Sequence, residues 1–218
     1  MKKHLIFYKI NYKIILFILV SFISCPSYGF DLTVPINSDE IDVWELLLEE
    51  NICYPNIPVD VSSQVKTKIE RQYKSLKKKG FNVKLIRNDE VIKLSIPTDD
   101  LFDFNSPNLN ESSATKYLNH ILEYLKYNNL YRIVIAVHHD DSLSPNEAEN
   151  LTYERAFKLI DWLQIREKNA NPIVPYSMGN DMLLTQDSSK KGKKLNRRLE
   201  IYIIPGELMF ELAREKKL

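Results

Sequence analysis

The most constraining feature of this sequence is a run of seven residues at 131–137 (YRIVIAV), nearly all of them apolar and several β-branched. Such a run is typical of a strand in the interior of a sheet, where both faces are covered. Four polar residues follow at 138–141 (HHDD), and then SPNE from Ser144. Serine at an N-cap, proline at the first helical position and glutamate three residues after the cap predict a helix start. We therefore expect a buried strand with polar groups at its carboxyl end, followed by a helix running to about Arg166.

Helix and strand patterns alternate through the rest of the chain. Apolar residues at helical spacing predict an amphipathic helix from Ser62 to a KKKG stop at 77–80, and a second helix opened by Ser112 or Ser113. Alternating apolar residues predict a β-hairpin with strands near 81–85 and 92–96, and LEIYII at 199–204 predicts a last strand. The lysine-rich segment 190–194 is interpreted as a solvated loop.

These elements predict one α+β domain over residues 62–205. We expect a mixed sheet of about four strands with helices packed on one face, preceded by a helix and a hairpin strand. Residues 25–61 are punctuated by prolines and are predicted to form an extension with one short helix, on apolar residues at 41, 44, 47 and 48. Residues 206–218 are predicted to form a helical tail.

The first residues have the pattern of an export signal. Four lysines and no acidic residue precede Ile14–Ile23, which is a nearly uninterrupted apolar run. A membrane-spanning helix needs about 20 apolar residues, so the run favours a signal peptide. Two cleavage sites stay open. The sequence FISC resembles a lipobox, which would make residues 1–24 the signal peptide and Cys25 an acylated first residue. Ser27 and Gly29 instead suit ordinary cleavage after residue 29.

Charge and cysteine content argue against two classes of protein. Residues 1–29 hold four of the 30 basic residues, so the remainder carries 26 basic and 29 acidic residues, a net charge of −3. A dedicated nucleic-acid binder relies on excess Lys and Arg, so no nucleic-acid partner is expected. Two cysteines are too few for a disulfide framework. Cys53 has no obvious partner and is interpreted as a buried hydrophobic residue.

An arginine interrupts the apolar stripe of the helix that follows Ser144. Leu151, Arg155 and Leu159 are spaced four residues apart, so the guanidinium shares a face with core residues. A buried guanidinium needs an anion, and Asp140 is the nearest candidate in the sequence. Two interpretations stay open: the two side chains pair with each other, or they are held apart and together receive a zwitterion, Asp140 taking its ammonium and Arg155 its carboxylate.

Five short motifs extend this pattern across half of the chain. They are LFDFNSPNL at 101–109, VHHD at 137–140, LTYERA at 151–156, YSMG at 176–179 and NRRLEI at 196–201. On these motifs, residues 91–204 resemble the OmpA-like peptidoglycan-binding domain of Gram-negative outer-membrane proteins and lipoproteins. The resemblance implies a β-α-β-α-β sandwich.

The resemblance also implies a ligand and a set of site residues. The ligand is the diaminopimelate of the peptide stem of peptidoglycan, held without covalent chemistry. By motif position, Asp140 and Arg155 would hold its charged amino-acid end, and Asn108, Arg197 and His139 would line the same pocket.

The sequence departs from the family pattern at four positions: Val137, His139, Leu143 and Ala148. His139 and Ala148 lie where the family builds its pocket, so the resemblance implies a pocket of altered shape. The HHDD run offers metal ligands, but adjacent strand residues point to opposite faces, and we expect no metal site. No nucleophile, base and orienting group are arranged around Cys53 or a serine, so we expect neither enzymatic activity nor a cofactor.

Two functions are compatible with these features. The first is a peptidoglycan-binding module that anchors an outer-membrane or periplasmic component to the cell wall, on the periplasmic side of the outer membrane of a Gram-negative bacterium. Its partners would be the peptide stem, the membrane if Cys25 is acylated, and other envelope proteins. The alternative is a structural subunit of the outer-membrane core complex of a type IVB (Dot/Icm-like) secretion system, with weakened or no wall binding.

Overall fold

The computed structural model describes residues 42–168 and 172–218. These residues form six α-helices and one five-stranded sheet. The helices are α1 (Leu48–Cys53), α2 (Ser62–Lys78), α3 (Glu111–Leu125), α4 (Pro145–Arg166), α5 (Lys190–Asn196) and α6 (Glu207–Arg214). The strands are β1 (Asn82–Ile86), β2 (Val91–Pro97), β3 (Tyr131–His138), β4 (Val174–Ser177) and β5 (Arg198–Pro205). The predicted signal peptide and Cys25 lie outside the described residues.

The sheet has the strand order β1-β2-β5-β3-β4. β5 pairs antiparallel with both β2 and β3, while β3 and β4 are parallel. Strands β2, β3 and β4 therefore run in the same direction, and their carboxyl ends meet at one edge of the sheet. The apolar run at 131–137 forms the interior strand β3, as predicted, because neighbours cover it on both sides. The predicted α+β class with a mixed sheet is confirmed.

The main core lies on one face of the sheet. Inward-facing residues of β2, β3 and β5 pack there against α2, α3, α4 and α6. Ser144 caps α4 by accepting a hydrogen bond from Glu147 N at 3.4 Å, and Glu147 Oε2 accepts in return from Ser144 N at 3.0 Å. This reciprocal cap fixes the start of α4 directly after β3, as the SPNE motif predicts.

The second face of the sheet is covered by the segment 42–57, which we call the N-terminal strap. Leu48 of the strap joins a smaller apolar cluster with Val134 and Tyr202. Asn51 is fully buried and donates to Val43 O and to Tyr176 Oη, both at 2.6 Å. The strap thus uses α1 to close the sheet face that the larger helices leave open.

Two arginines, the buried Arg87 and the half-buried Arg132, hold the far end of the strap. Arg132 donates to Asn51 Oδ1 and to Tyr54 O. Arg87 donates to Ile52 O at 3.1 Å and to Pro55 O at 2.6 Å. Burial lowers the pKa of both guanidinium groups, so their carbonyl partners compensate part of a desolvation cost.

Several local predictions are corrected. The lysine-rich segment 190–194 is not a loop but the greater part of α5, whose N-cap Ser189 accepts from Gly192 N at 3.2 Å. α3 begins at Glu111 because Asn110, not a serine, provides the cap. The short helix of the extension begins at Leu48, later than its apolar pattern indicates. Cys53 is disulfide-bonded rather than a partnerless hydrophobic residue; its bonding partner lies outside the described residues. In residues 42–168 and 172–218, no helix is long and apolar enough to span a membrane.

Candidate ligand-binding site at the carboxyl end of β3

The topology brings three charged side chains to one edge of the sheet. Asp99 follows β2, Asp140 follows β3, and Arg197 precedes β5, which runs the opposite way. The carboxyl ends of β2 and β3 and the amino end of β5 therefore share this edge. Arg155 reaches the same edge from α4, and the loop 103–108 closes over it through contacts described below. We call these residues, with His139, the edge cluster.

Asp140 is the most buried acid of the edge cluster, with none of its surface exposed. Its Oδ1 accepts from Ser142 N at 2.8 Å, and its Oδ2 accepts from Arg197 Nη1. Burial by itself would raise the pKa of Asp140, but the hydrogen bonds from Ser142 and Arg197 outweigh it and hold the pKa below the ordinary value. Asp140 is therefore a fixed negative charge at neutral pH.

Arg155 is 2% exposed and is held by backbone rather than by an acid. Its Nε donates to Ser106 O at 3.0 Å and its Nη2 donates to Asp103 O at 3.1 Å, while the guanidinium lies over the Phe102 ring. Its Nη1 is buried and has no hydrogen-bond partner among the described residues. Burial lowers the pKa of Arg155 to about 10, which still leaves it charged at pH 7.

No hydrogen bond or ion pair within the described residues joins Asp140 to Arg155. Of the two sequence-based interpretations, the simple ion pair is thus not formed. Arg155 carries a buried positive charge with one free N–H group, an arrangement that suits an incoming anion.

Arg197 forms the outer layer of the edge cluster. It makes a bidentate pair with Asp99, from Nε to Oδ1 and from Nη2 to Oδ2, both at 2.7 Å. Hydrogen bonds to Asp99 and to Asp140 raise its pKa. The exposed ring of Phe104 lies 5.9 Å from the Arg197 guanidinium carbon. Arg197 therefore bridges two carboxylates and separates the buried Asp140 from solvent.

His139 lies inside the cluster and is 1% exposed. Its Nδ1 is 3.0 Å from Asp140 O and 3.4 Å from Asp140 Oδ1, and its backbone N donates to Gly179 O at 2.6 Å. Its Nε2 is buried and has no hydrogen-bond partner among the described residues. Burial is the main cause that lowers the pKa of His139, and the nearby Arg155 and Arg197 charges add to it.

Asn108 belongs to the loop that Arg155 holds. Its backbone N donates to Ser106 Oγ at 3.1 Å and its backbone O accepts from Asp103 N at 3.1 Å, which closes the loop on itself. The residue is exposed. The structure thus places Asn108 at the rim of the edge cluster rather than among its buried groups.

The four departures from the family pattern occupy different environments. Val137 is part of the main core, and Leu143 contributes its carbonyl, which accepts from Asn180 Nδ2 at 3.2 Å. Ala148 is fully buried. It lies beneath the turn at Gly179, and a Cβ added to Gly179 would be 3.3 Å from the backbone nitrogen of Glu149 in α4. Of the four, His139 is the one that adds a polar side chain to the edge cluster.

His138 and Arg198 are the sequence neighbours of His139 and Arg197, but they do not belong to the edge cluster. His138 and Arg198 point to the second face of the sheet, where Glu200 is nearly buried. Glu200 accepts from Lys93 Nζ at 2.6 Å, from Arg198 Nε at 2.8 Å and from the Tyr202 hydroxyl. We call these five residues the inner ionic network. The prediction that His138 and His139 face apart is confirmed by their separate contacts. Within residues 42–168 and 172–218, no group of three His, Cys, Asp or Glu could hold a metal ion.

Asp99 and the loop carbonyls that hold Arg155 belong to the edge cluster but are not predictable from the sequence. Asp99 has no distinctive local pattern, and it reaches Arg197 only because β2 and β5 are adjacent. The backbone carbonyls of Asp103 and Ser106 carry no side-chain signal. An arginine on the apolar face of a helix indicates a partner that accepts hydrogen bonds. This pattern favours an acidic side chain as the partner, whereas the structure provides backbone carbonyls of a loop.

Fold and site together define a small α+β domain of the OmpA-like type. Residues 101–197 match the OmpA family, and the resemblance drawn from the five motifs is confirmed.

Solved structures support the same fold. A MotB-like protein from Desulfovibrio vulgaris is 16% identical, with a TM-score of 0.57 over 66% of this chain and 94% of that chain. The cell wall anchor of the T6SS from Pseudomonas aeruginosa is 18% identical, with a TM-score of 0.51 over 63% of this chain and 96% of that chain. A comparison with curated proteins finds no match.

Proposed function

We propose that this domain binds the diaminopimelate residue of peptidoglycan peptide stems and anchors an exported envelope protein to the cell wall without catalysing a reaction. The observation that carries the proposal is the buried Nη1 of Arg155, which has no partner among the described residues and lies in the same cluster as the acid Asp140. The OmpA family match and the fold shared with the T6SS cell wall anchor support a role at the wall.

The charges of the edge cluster complement a zwitterion. A carboxylate can accept from Arg155 Nη1, and an ammonium can donate to the acid groups beside it. Charge-assisted hydrogen bonds of this kind contribute about 1.5–3 kcal/mol each, so two or three give reversible binding. Lysine at the same stem position has an ammonium but lacks the second carboxylate, so Arg155 gives selectivity for diaminopimelate.

Access to Arg155 requires a local rearrangement. Arg197 covers Asp140, and the loop 103–108 covers Arg155. A ligand carboxylate must displace one of these contacts to reach Nη1. The loop is the more readily displaced of the two, because Asp103, Phe104 and Asn105 are exposed and its hold on Arg155 is two backbone hydrogen bonds.

The test is a binding assay with purified sacculi. Wild type should bind diaminopimelate-type sacculi more tightly than lysine-type sacculi, and Arg155→Lys and Asp140→Asn should each weaken binding to the first type about tenfold or more. Arg166→Lys is the matched control, because Arg166 lies on the same helix but pairs with Glu111 at 3.1 Å. If both site variants bind as wild type does, wall binding at this site is refuted, and the predicted assembly role in a secretion complex becomes the better hypothesis.

The form of the amino terminus is the second part of the proposal. Because the sequence holds two cysteines, acylation of Cys25 and an intramolecular disulfide to Cys53 exclude each other, since both use the same sulfur. The intact mass of the mature protein, measured with and without reductant, separates the cases. Acyl mass on a chain beginning at Cys25 identifies a lipid anchor; a chain beginning at Phe30 identifies ordinary cleavage.

A further inference from the structure

We propose that His139 is an acceptor for the ligand's ammonium group and that its protonation releases the ligand, so that wall binding is strong at neutral pH and lost on acidification. This inference rests on the proposed function and assigns its regulation. The observation behind it is a pair of buried polar atoms in one cluster, Arg155 Nη1 and His139 Nε2, neither of which has a hydrogen-bond partner among the described residues.

The hydrogen bond at Nδ1 fixes the tautomer of His139. The Asp140 atoms near Nδ1 are a carbonyl oxygen at 3.0 Å and a carboxylate oxygen at 3.4 Å, and both can only accept. Nδ1 must therefore carry the proton. A neutral imidazole has one N–H group, so Nε2 has a bare lone pair and is an acceptor.

An acceptor at this position complements Arg155. Arg155 Nη1 can only donate and His139 Nε2 can only accept, so the two unpartnered atoms suit the two ends of an amino acid: a carboxylate at Arg155 and an ammonium at His139. Asp140 has already committed one oxygen to Ser142 and the other to Arg197. His139 Nε2 therefore provides a further hydrogen-bond acceptor for the ammonium, since each carboxylate oxygen of Asp140 already accepts one hydrogen bond.

Protonation reverses the role of Nε2. It becomes a donor, and the ring gains a positive charge between two arginines, so the ammonium is repelled and its hydrogen bond is lost. The charged groups that act on His139 are Asp140 at the end of β3, Arg155 from α4 and Arg197 before β5. Asp99 pairs with Arg197 and partly offsets its charge.

The direction of the effect follows from linkage. A ligand that binds only the neutral imidazole loses affinity by about tenfold per pH unit once the pH lies below the pKa of His139. Burial lowers that pKa from the ordinary value of 6.5, so affinity should be constant between pH 7.5 and 6.5 and should fall at lower pH. The carboxylate and ammonium of diaminopimelate keep their charges over this range, so the ligand adds no transition of its own.

The experiment measures binding to diaminopimelate-type sacculi between pH 7.5 and 4.5. His139→Gln is the informative variant, because its amide oxygen can accept at every pH and does not titrate. His120→Gln is the matched control, since His120 contacts Lys79 and Phe81, away from the edge cluster. Wild type and His120→Gln should lose affinity as the pH falls across the range, and His139→Gln should lose much less.

The outcomes separate this inference from the proposed function. A wild-type protein whose binding depends on Arg155 but does not change down to pH 4.5 overturns the role of His139 and leaves wall binding intact. A pH response that survives in His139→Gln overturns it as well. Absence of binding at every pH refutes the proposed function itself. A thermal melt at each pH confirms that the measured protein is folded.

Discussion

Arg197 and Arg198 are neighbours in the chain, yet they enter two charged clusters of opposite character. Arg198 joins the inner ionic network, in which Glu200 accepts from Lys93, Arg198 and Tyr202. Arg197 joins the edge cluster, in which Arg155 Nη1 and His139 Nε2 are left without partners among the described residues. The alternation of a strand separates the two arginines onto different faces.

The difference lies in whether the buried guanidinium group of each cluster is paired with an acid: Arg198 is paired with Glu200, whereas Arg155 contacts only backbone carbonyls. Buried charges that are fully paired fix a structure, because removing one partner leaves the others unpaired in a medium of low polarity. Buried donors and acceptors without partners are costly, and they persist where an external group completes them. In the inner network the buried atoms without hydrogen-bond partners are the two ring nitrogens of His138, of which Nε2 lies 3.6 Å from Glu200 Oε2, while the Glu200 carboxylate and the Arg198 guanidinium are paired. We therefore assign a structural role to the inner network and a binding role to the edge cluster.

The sharpest test of this contrast is Glu200→Ala. It leaves the buried Arg198 and the partly buried Lys93 without their carboxylate partner, so the free energy of unfolding should fall by about 3–5 kcal/mol in urea denaturation. Glu70→Ala serves as the control, because Glu70 forms an exposed pair with Lys74 and should cost less than about 1 kcal/mol. Equal effects of the two substitutions would contradict a structural role for the network.

Arg155→Met should show the opposite behaviour. The apolar side chain retains the packing over Phe102 and removes the unpartnered N–H group, while water can satisfy the freed loop carbonyls. We expect the free energy of unfolding to change by less than about 1.5 kcal/mol and sacculus binding to fall about tenfold or more. A loss of stability as large as that of Glu200→Ala would make Arg155 a structural residue.

Acid titration sharpens the comparison further. Burial alone would raise the pKa of Glu200, but its interactions with His138, Lys93 and Tyr202 dominate and lower it well below the ordinary 4.5. Its contribution is present above pH 4.5 and is lost as the pH falls toward the lower, folded-state pKa. Below pH 4.5 the free energy of unfolding should fall by up to about 1.4 kcal/mol per pH unit from this group. Glu200→Gln should reduce the dependence of the free energy of unfolding on pH in this range. If that dependence is unchanged, other acidic groups cause it.

Asp99→Asn should have the smallest effect. Asp99 and Arg197 are partly exposed, with 26% and 13% of their side-chain surfaces accessible, so their pairing is weakened by solvent. We expect a decrease in the free energy of unfolding of no more than about 1 kcal/mol, measured in urea. The change in sacculus affinity should be smaller than for Arg155→Met. If Asp99→Asn lowers sacculus affinity more than Arg155→Met does, then Asp99 and Arg197, rather than Arg155, are the main binding residues.

Most of the framework could be predicted from the sequence, because periodicity and caps are local signals. The buried run at 131–137 gave β3, and the SPNE cap gave α4. The lysine-rich segment 190–194 has too few apolar residues to predict a helix. The Ser189 cap and the ion pairs of Lys193 with Asp141 and of Lys194 with Asp100 stabilise its helical form.

The site could be predicted only in part. Arg155 was identified because a charged residue on an apolar helix face is visible in the sequence. Its partners were not, since they are carbonyl groups of a loop about fifty positions earlier in the chain. The inner ionic network is not predictable from the sequence for a related reason. Lys93 and Glu200 lie on strands that become neighbours only in the folded sheet.

The N-terminal strap has a mechanical consequence. It begins beside Tyr176, toward the edge of the sheet that carries the edge cluster, and it ends at Arg132 and Arg87 near the opposite edge. In the reduced protein, a tether pulling from residue 42 against a wall-bound ligand would therefore apply both forces near the same edge of the sheet, whereas an intact Cys53 disulfide would let part of the force bypass residues 42–52. Under such tension, the hydrogen bonds that Leu46 O and Asn51 Nδ2 make with the Tyr176 hydroxyl would break first. The paired strands β3 and β5, eight residues long, would carry load only after the strap has detached.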